Sequence, residues 1–253
     1  MEAGIEIKEY KNTELPISEV FVSIQGEGPT AGRLAVFIRL AGCNLMCGGQ
    51  GTQFDKQLHN GATWRCDTVE VWMKGKNKKV IDILDSRAYE YVKKGAHVII
   101  TGGEPLIHGK KLEVLTHFLT HQLDAYIEVE TNGTIEPGGD LVNQVNQWNV
   151  SPKLANSGND EYLRFNQHAW NKFQSLNAVF KFVVSGIGDA TEIERTFQKQ
   201  EPLNWRRVYF MPAGESQKEL LKTRPMAAEL AIEYGANYSD RMHIVIWNQK
   251  TGV

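Results

Sequence analysis

The sequence predicts an α/β fold on a mostly parallel sheet, wide enough to curve into a partial, open β/α barrel. Three observations lead there. Short apolar or half-apolar runs bounded by Gly, Pro, Asn or Ser recur along the chain, as buried strands do. Helical signals fall between them, and alternating β and α at this spacing argues for parallel pairing. Polar, glycine-rich motifs follow one run after another, the pattern of a parallel sheet whose strand ends share one site.

The elements follow in order. The first strand is residues 36–40, after an N-terminal segment. A 3.6-residue period through Val80, Ile81, Ile83, Leu84, Tyr91 and Val92 predicts a helix before the second strand at 98–101. Leu112, Leu115 and Leu119 predict the next helix, ahead of a strand at 126–129. Strands at 149–151, 179–184 and 208–211 complete six candidates. Thr191-Glu192-Ile193-Glu194 and Ser216-Gln217-Lys218-Glu219 have capping-box form and predict helix starts. Pro225 predicts a break inside the last helical stretch, and 243–247 reads as a final strand whose edge could serve a dimer.

The chain has 253 residues, 42% apolar and 23% charged, which excludes a disordered or collagen-like chain. No linker or repeat divides it, so residues 1–253 read as a single domain. A net charge of −2 gives no global pull toward nucleic acid or anionic lipid, and no apolar run reaches about 18 residues, so neither partner is expected. Residues 1–6 carry neither a basic start nor an apolar stretch, so the expected location is cytoplasmic.

The three cysteines all fall between Cys43 and Cys66, which points to a metal or cluster site rather than disulfides. Cys43 and Cys47 are three residues apart, and 18 more precede Cys66. Three thiolates can hold three irons of a [4Fe–4S] cluster and leave the fourth iron for a small molecule. Two other readings stand beside it: three buried cysteines acting as small hydrophobes, or a zinc site of Cys43, Cys47, Cys66 and His59. The zinc reading leaves Thr101-Gly102-Gly103-Glu104-Pro105, after the second strand, unexplained.

With that motif the chain resembles the radical S-adenosylmethionine (SAM) enzymes. More specifically it is similar to the 7-carboxy-7-deazaguanine synthases of queuosine and deazapurine biosynthesis. The resemblance runs from Val20 to the C-terminus through Ser23-Ile24-Gln25-Gly26-Glu27-Gly28, Phe37-Ile38-Arg39-Leu40-Ala41-Gly42-Cys43, Cys66-Asp67-Thr68, Glu130-Thr131-Asn132-Gly133 and Ser151-Pro152-Lys153. It implies a radical SAM partial barrel with an enlarged cluster loop. Its reaction takes 6-carboxy-5,6,7,8-tetrahydropterin to 7-carboxy-7-deazaguanine with loss of ammonia, SAM being regenerated. The implied cluster ligands are Cys43, Cys47 and Cys66. SAM would be met by Arg65, Gly103, Ser151, Pro152, Lys153, Met211, Pro212, Ala213 and Gly214. Substrate would be met by Ile24, Gln25, Gly26, Arg39, Thr101 and Val253, and Mg²⁺ by the Thr68 hydroxyl. A homodimer and an electron donor such as a flavodoxin are implied as partners. An arginine suits the pterin carboxylate because its planar fork donates two charge-assisted bonds; a structural ion pair is the other reading of Arg39. For Thr68 the other reading is a helix cap.

The chain departs from the family pattern at four places. The superfamily spacing is Cys-x3-Cys-x2-Cys, whereas residues 48–65 form an 18-residue insert here, polar and glycine-rich enough to loop out. Arg65 stands where an aromatic often packs near the adenine, with Trp64 one step earlier. Met211-Pro212 stands where many relatives have Gln-Pro, and Val245 and Trp247 where Gln and His are common. A second radical SAM activity of the activase type and a non-enzymatic zinc protein are the rival functions.

Overall fold

The computed structural model describes residues 7–198 and 203–253. Residues 1–6, which carried the N-terminal reading, lie outside the described residues. Nine strands form one sheet: β1 (Glu14–Ile24), β2 (Leu34–Leu40), β3 (Lys76–Lys79), β4 (His97–Gly102), β5 (Ile127–Thr131), β6 (Gln147–Val150), β7 (Val179–Val184), β8 (Val208–Pro212) and β9 (Asn237–Tyr238). Their order is β3-β1-β2-β4-β5-β6-β7-β8-β9. From β2 to β9 every pair is parallel, while β1 runs antiparallel to both β2 and β3. The six predicted strands are thus the parallel core of an open barrel. The antiparallel pair β1 and β3 is an addition that the sequence reading left out.

Alternation along the strands sorts the two faces. Ile127 and Val129 of β5, Trp148 and Val150 of β6, and Phe180, Phe182 and Val184 of β7 belong to the main apolar core. Their alternating neighbours Glu128, Asn149 and Lys181 are equally buried, so at these three strands the opposite face carries buried polar side chains. That explains why these runs read as only half-apolar. Helices Ser86–Lys93, Lys110–Leu123, Gln167–Ser175 and Gln217–Glu233 supply crossovers, and Leu112, Leu115, Phe173 and Ala227 from three of them are buried in the same apolar core.

Four predicted elements need correction. Residues 243–247 are not a strand but lie in the helix Met242–Trp247; only Ile244 of that helix is fully buried, as suits a short helix lying on a surface. The dimer edge expected there is therefore absent among the described residues. The period starting at Val80 is split: Val80–Asp82 is a 3-10 turn, and the helix begins after Asp85, whose carboxylate accepts from Ala88 N at 2.7 Å. Thr191 lies inside the helix Ile187–Ile193, whose start is fixed by Asp189 accepting from Ser185 N and Gly186 N. Ser216 does cap its helix, accepting from Glu219 N at 3.3 Å, but Pro225 does not interrupt it. Pro225 and Leu221, whose carbonyl loses a donor to the proline, both face solvent, and water can replace that bond.

Candidate active site

Cys43 and Cys47 lie on the loop that leaves β2, and Cys66 returns beside them, its N–H donating to Cys47 O at 3.2 Å. Polar hydrogens surround the sulfurs. Leu45 N donates to Cys43 Sγ at 3.5 Å, Asn159 Nδ2 to Cys47 Sγ at 3.6 Å, and Thr68 Oγ1 lies 3.5 Å from Cys66 Sγ. Burial pushes the Cys43 and Cys47 thiols up to about 12, so holding thiolates there calls for positive charge. Iron supplies it, and hydrogen bonds to sulfur are a recognised means of setting a cluster's potential. The donor set thus fits an iron–sulfur cluster. Among the described residues no three His, Cys, Asp or Glu side chains converge closely on a single ion, the three cysteines with His59 included. His59 is instead engaged by Asp55 at 2.9 Å.

The insert does not loop out. Gly48 N donates to Ser157 O at 2.9 Å, Thr63 N to Asn156 O at 2.9 Å, and Asn60 Nδ2 to Gly158 O at 2.9 Å, so residues 48–65 fold onto the segment after β6. Arg65 also departs from expectation. Its guanidinium is buried and taken up by Glu70 at 2.6 Å and by Thr52 Oγ1 at 3.1 Å, which fastens the insert and leaves nothing to stack on an adenine. Trp64 is the aromatic side chain beside it in sequence. Its ring packs on Val183, Met211 and Ala213, and its Nε1 donates to Asn156 Oδ1 at 2.9 Å.

The motif residues at the other strand ends close around this loop. Gly103 has no room for a side chain, since a Cβ would collide with Gly42 O and lie 2.6 Å from Cys43 Cβ. Glu104, fully buried, accepts from Leu106 N at 3.0 Å, Thr131 Oγ1 at 2.8 Å and Asn132 N at 2.6 Å; burial holds its pKa above the ordinary value. Asn132 in turn donates to Asn44 Oδ1 at 2.8 Å, so the glycine-glycine-glutamate, threonine-asparagine and cysteine segments form one unit. Lys153 Nζ donates to Ser151 O and Oγ, both at 2.8 Å, and lies 6.0 Å from the Trp64 ring centre. Met211 and Ala213 are buried, Ala213 N donates to Val184 O, and Gly214 O accepts from Arg241 Nη1 at 2.5 Å.

Beside the cysteine loop opens a cavity of about 260 Å³. Ile24, Gln25, Gly26, Arg39, Thr101 and Val253 all line it, as does Thr68, while the cysteines and the residues at 151–153 and 211–214 do not. Gln25 Nε2 donates to Glu130 at 3.1 Å. Gly26 is pressed against His243, whose Nδ1 would lie 2.8 Å from any Cβ. Arg39 donates through Nε to Glu19 at 2.8 Å, and among the described residues its terminal nitrogens have no partner. The ion-pair reading of Arg39 is thus observed: Glu19 fixes the stem, and the fork is left toward the cavity. Thr68 heads the short helix Val69–Trp72 without capping it through its side chain, which removes the helix-cap reading.

A ladder of charge forms the cavity wall. Lys181 Nζ, 1% exposed, bridges Glu130 at 2.6 Å and Glu27 at 3.0 Å. Arg241 bridges Glu27 at 3.2 Å and Asp67 at 2.8 Å, and His243 lies 3.4 Å from Asp67. Burial alone would raise Glu27, but Lys181 and Arg241 outweigh it and bring it down to about 2. Asp67 is held well below the carboxylate range: burial again opposes, and Arg241 and His243 prevail. Glu130 goes the other way, raised by burial against the pull of Lys181.

No protein-family model matches the chain. Curated relatives do. The 7-carboxy-7-deazaguanine synthase of Halobacterium salinarum is 32% identical over 92% of this chain and 91% of its own. That of Pyrobaculum aerophilum is 32% identical over 93% and 96%, and that of Rhodopirellula baltica 34% over 95% and 89%. The chain belongs to the 7-carboxy-7-deazaguanine synthase family. Its fold is that of the crystal structure of QueE from Escherichia coli, with a TM-score of 0.64 at 23% identity over 96% of this chain and all of that one.

For a 7-carboxy-7-deazaguanine synthase, the ladder is what sequence reasoning missed. Glu27 and Asp67 each adjoin a predicted contact, and Glu130 sits inside another motif quoted from the sequence, yet none is among the predicted contacts. Arg241 and His243 carried a weak signal, two basic residues ahead of a short apolar run. Val245 and Trp247, noted as departures from the family pattern, do not line the cavity; Arg241, His243 and Ile244 do.

Proposed function

We propose that the chain makes 7-carboxy-7-deazaguanine from 6-carboxy-5,6,7,8-tetrahydropterin through two adjoining subsites. The observation that carries this division is the cavity. It gathers all six residues implied for substrate, together with Thr68, and it opens beside the three cysteines. In this reading Cys43, Cys47 and Cys66 hold a [4Fe–4S] cluster, and cluster and SAM together supply the radical chemistry.

The chain's own residues bind and orient. The backbone at Ser151, Pro152 and Lys153 and at Met211 to Gly214 receives SAM, with Trp64 rather than Arg65 as the flat apolar wall. Arg39, its stem fixed by Glu19, meets the pterin carboxylate with its free fork. Thr68 gives its hydroxyl to a Mg²⁺ that shares that carboxylate, an oxygen-only site in keeping with a hard cation. Gln25 is immobilised by Glu130, and Gln25, Gly26, Ile24, Thr101 and Val253 enclose the ring. Among the described residues no helix is long and apolar enough to cross a membrane. A homodimer, a flavodoxin-like donor and a cytoplasmic setting belong to the same reading.

The test is anaerobic reconstitution with iron and sulfide. Assay with the carboxytetrahydropterin, SAM and dithionite follows, with product identified by mass. Product at the mass of 7-carboxy-7-deazaguanine is expected. A reconstituted, iron-loaded protein that cleaves SAM but leaves the pterin unchanged overturns the reading.

A further inference from the structure

Residues 73–79, Met73-Lys74-Gly75-Lys76-Asn77-Lys78-Lys79, form an unbroken exposed stretch with four lysines and no carboxylate. The last four are β3, the edge strand of the sheet, which pairs with β1 on one side only. Among the described residues none of Lys74, Lys76, Lys78 or Lys79 forms an ion pair; Glu14 stands opposite Lys79 in the register, at the far end of the strand. In a chain of net charge −2 this is a local reversal of sign.

Lysines on an edge strand discourage pairing with other strands. The position of this run asks for more. Gly75 abuts the start of the cysteine loop, a Cβ there lying 2.6 Å from Ala41 Cβ, and Gly42 N donates to Trp72 O at 2.9 Å. At the other side the run follows the short helix Val69–Trp72, which itself follows Cys66-Asp67-Thr68. The positive stretch thus begins on the outer flank of the segments that present Cys43 and Cys66. Met73, 49% exposed, adds an apolar contact at its inner end.

We infer that the stretch Lys74–Lys79 is the docking surface for an acidic one-electron donor protein carrying a reduced flavin. The inference rests on the cluster and on the flavodoxin-like donor of the function proposed above; the lysines themselves argue for the donor's acidic face. One electron leaves the donor's flavin and enters the cluster that Cys43, Cys47 and Cys66 would hold. The lysines contribute no chemistry to that step. They raise the encounter rate and set the orientation, as complementary charge does at transient interfaces.

The test compares the native protein with a variant carrying Lys74→Glu, Lys76→Glu and Lys78→Glu, and with a Lys→Gln version of the same three positions. Turnover is driven by a purified reduced flavodoxin and, separately, by dithionite. Flavodoxin binding is measured by calorimetry at low and high salt. The expected result is a loss of about tenfold or more in flavodoxin affinity and in flavodoxin-driven kcat/KM for the Glu variant. The Gln variant should fall between, and the native affinity should drop steeply with salt. Dithionite-driven turnover should be the same in all three. Equal flavodoxin affinity for the native and Glu proteins overturns the inference. So does a changed oligomeric state in the Glu variant, which would make the strand a contact between copies. So would a gain in tRNA binding by the native protein over the Glu variant without any change in flavodoxin affinity. If native protein shows no dithionite-driven turnover, it is the cluster reading that fails, a separate outcome.

Discussion

Replacing Arg241 with Met leaves two carboxylates without their shared cation. The side chain makes three charge-assisted contacts: Glu27 at 3.2 Å, Asp67 at 2.8 Å and Gly214 O at 2.5 Å. Removing one partner of a buried pair costs about 3–5 kcal/mol, because a charge is left behind. The two pairs do not simply add. Glu27 keeps Lys181 at 3.0 Å, whereas Asp67 keeps only His243 at 3.4 Å, so most of the loss falls on Asp67. The expected total is therefore about 3–5 kcal/mol, or a fall of roughly 6–20 °C in melting temperature for a chain of this size. The pH dependence supplies the control. Both carboxylates have depressed folded-state pKa values, Glu27 at about 2. Their stabilisation is fully present above the unfolded carboxylate range near 4, and it is lost as pH falls from there through the folded values, about 2 for Glu27 and lower for Asp67. Without Arg241, desolvation pushes both upward, so protonation relieves the variant as pH falls. Urea unfolding at pH 7, 5 and 4 should show the gap between native and Arg241→Met wide at pH 7 and narrowing toward pH 4. A variant within 1 kcal/mol of native at pH 7, or a gap as wide at pH 4 as at pH 7, refutes the reasoning.

Three further outcomes are expected. Iron content after anaerobic reconstitution should be unchanged in His59→Ala and severely reduced in Cys66→Ala, since His59 is held by Asp55 in the insert; equal losses would restore the zinc-like ligand set. Thr68→Val should flatten the Mg²⁺ activation curve while SAM binding, followed by equilibrium dialysis, stays within about twofold. Trp64→Ala should raise the KM for SAM severalfold and also lower the melting temperature, since its ring packs on Val183, Met211 and Ala213 and its Nε1 donates to Asn156. Arg65→Met should leave the KM for SAM unchanged and lower thermal stability by about 1–3 kcal/mol, because its guanidinium clamps Thr52 and Glu70. If Arg65→Met alone weakens SAM binding, the adenine wall is wrongly assigned.

The parallel strands were legible because each is bounded by turn residues and followed by a polar motif. The antiparallel pair was not, for reasons in its composition. β3 is Lys76-Asn77-Lys78-Lys79, a strand held by backbone pairing alone, with no apolar side chain to announce it. β1 has Leu15 and Ile17 buried at its start and then seven half-buried residues, because beyond Ile17 its faces divide: Val20 and Val22 pack on the core while Phe21 and Ile24 line the cavity. Residues 243–247 illustrate the opposite failure: five residues are too few for periodicity to separate helix from strand. At the site, individual motif residues were legible and their connections were not. Nothing in the sequence says that Glu104 accepts from Asn132, 28 residues on, or that Arg241 reaches back to Glu27.

The enlarged cysteine loop shows why spacing alone is a poor guide to whether three thiols can act together. Stretching the gap between Cys47 and Cys66 from two residues to 18 adds about 2 kcal/mol of closure entropy, since each doubling costs about 0.6 kcal/mol. The insert offsets this at its neck. Cys66 N donates to Cys47 O at 3.2 Å, and His59 N donates to Gly48 O at 2.7 Å, so the chain returns to its point of departure. Gly49 and Gly51, both at positive φ, permit the turns on the way out. Outside the neck, the bonds to Asn156, Ser157 and Gly158 anchor the excursion, each contributing about 0.5–1.5 kcal/mol. The anchor is placed with consequence. Asn156 binds the insert through its carbonyl and Trp64 through its side chain, while its Nδ2 donates to Val183 O and Asp189. The insert is thereby fixed to the strand ends proposed for SAM, and the ring of Trp64 arrives beside Met211 and Ala213. In the proposed reading the longer loop moves the aromatic wall one residue upstream, and Arg65, bound by Glu70 and Thr52, becomes the bolt that holds the loop shut.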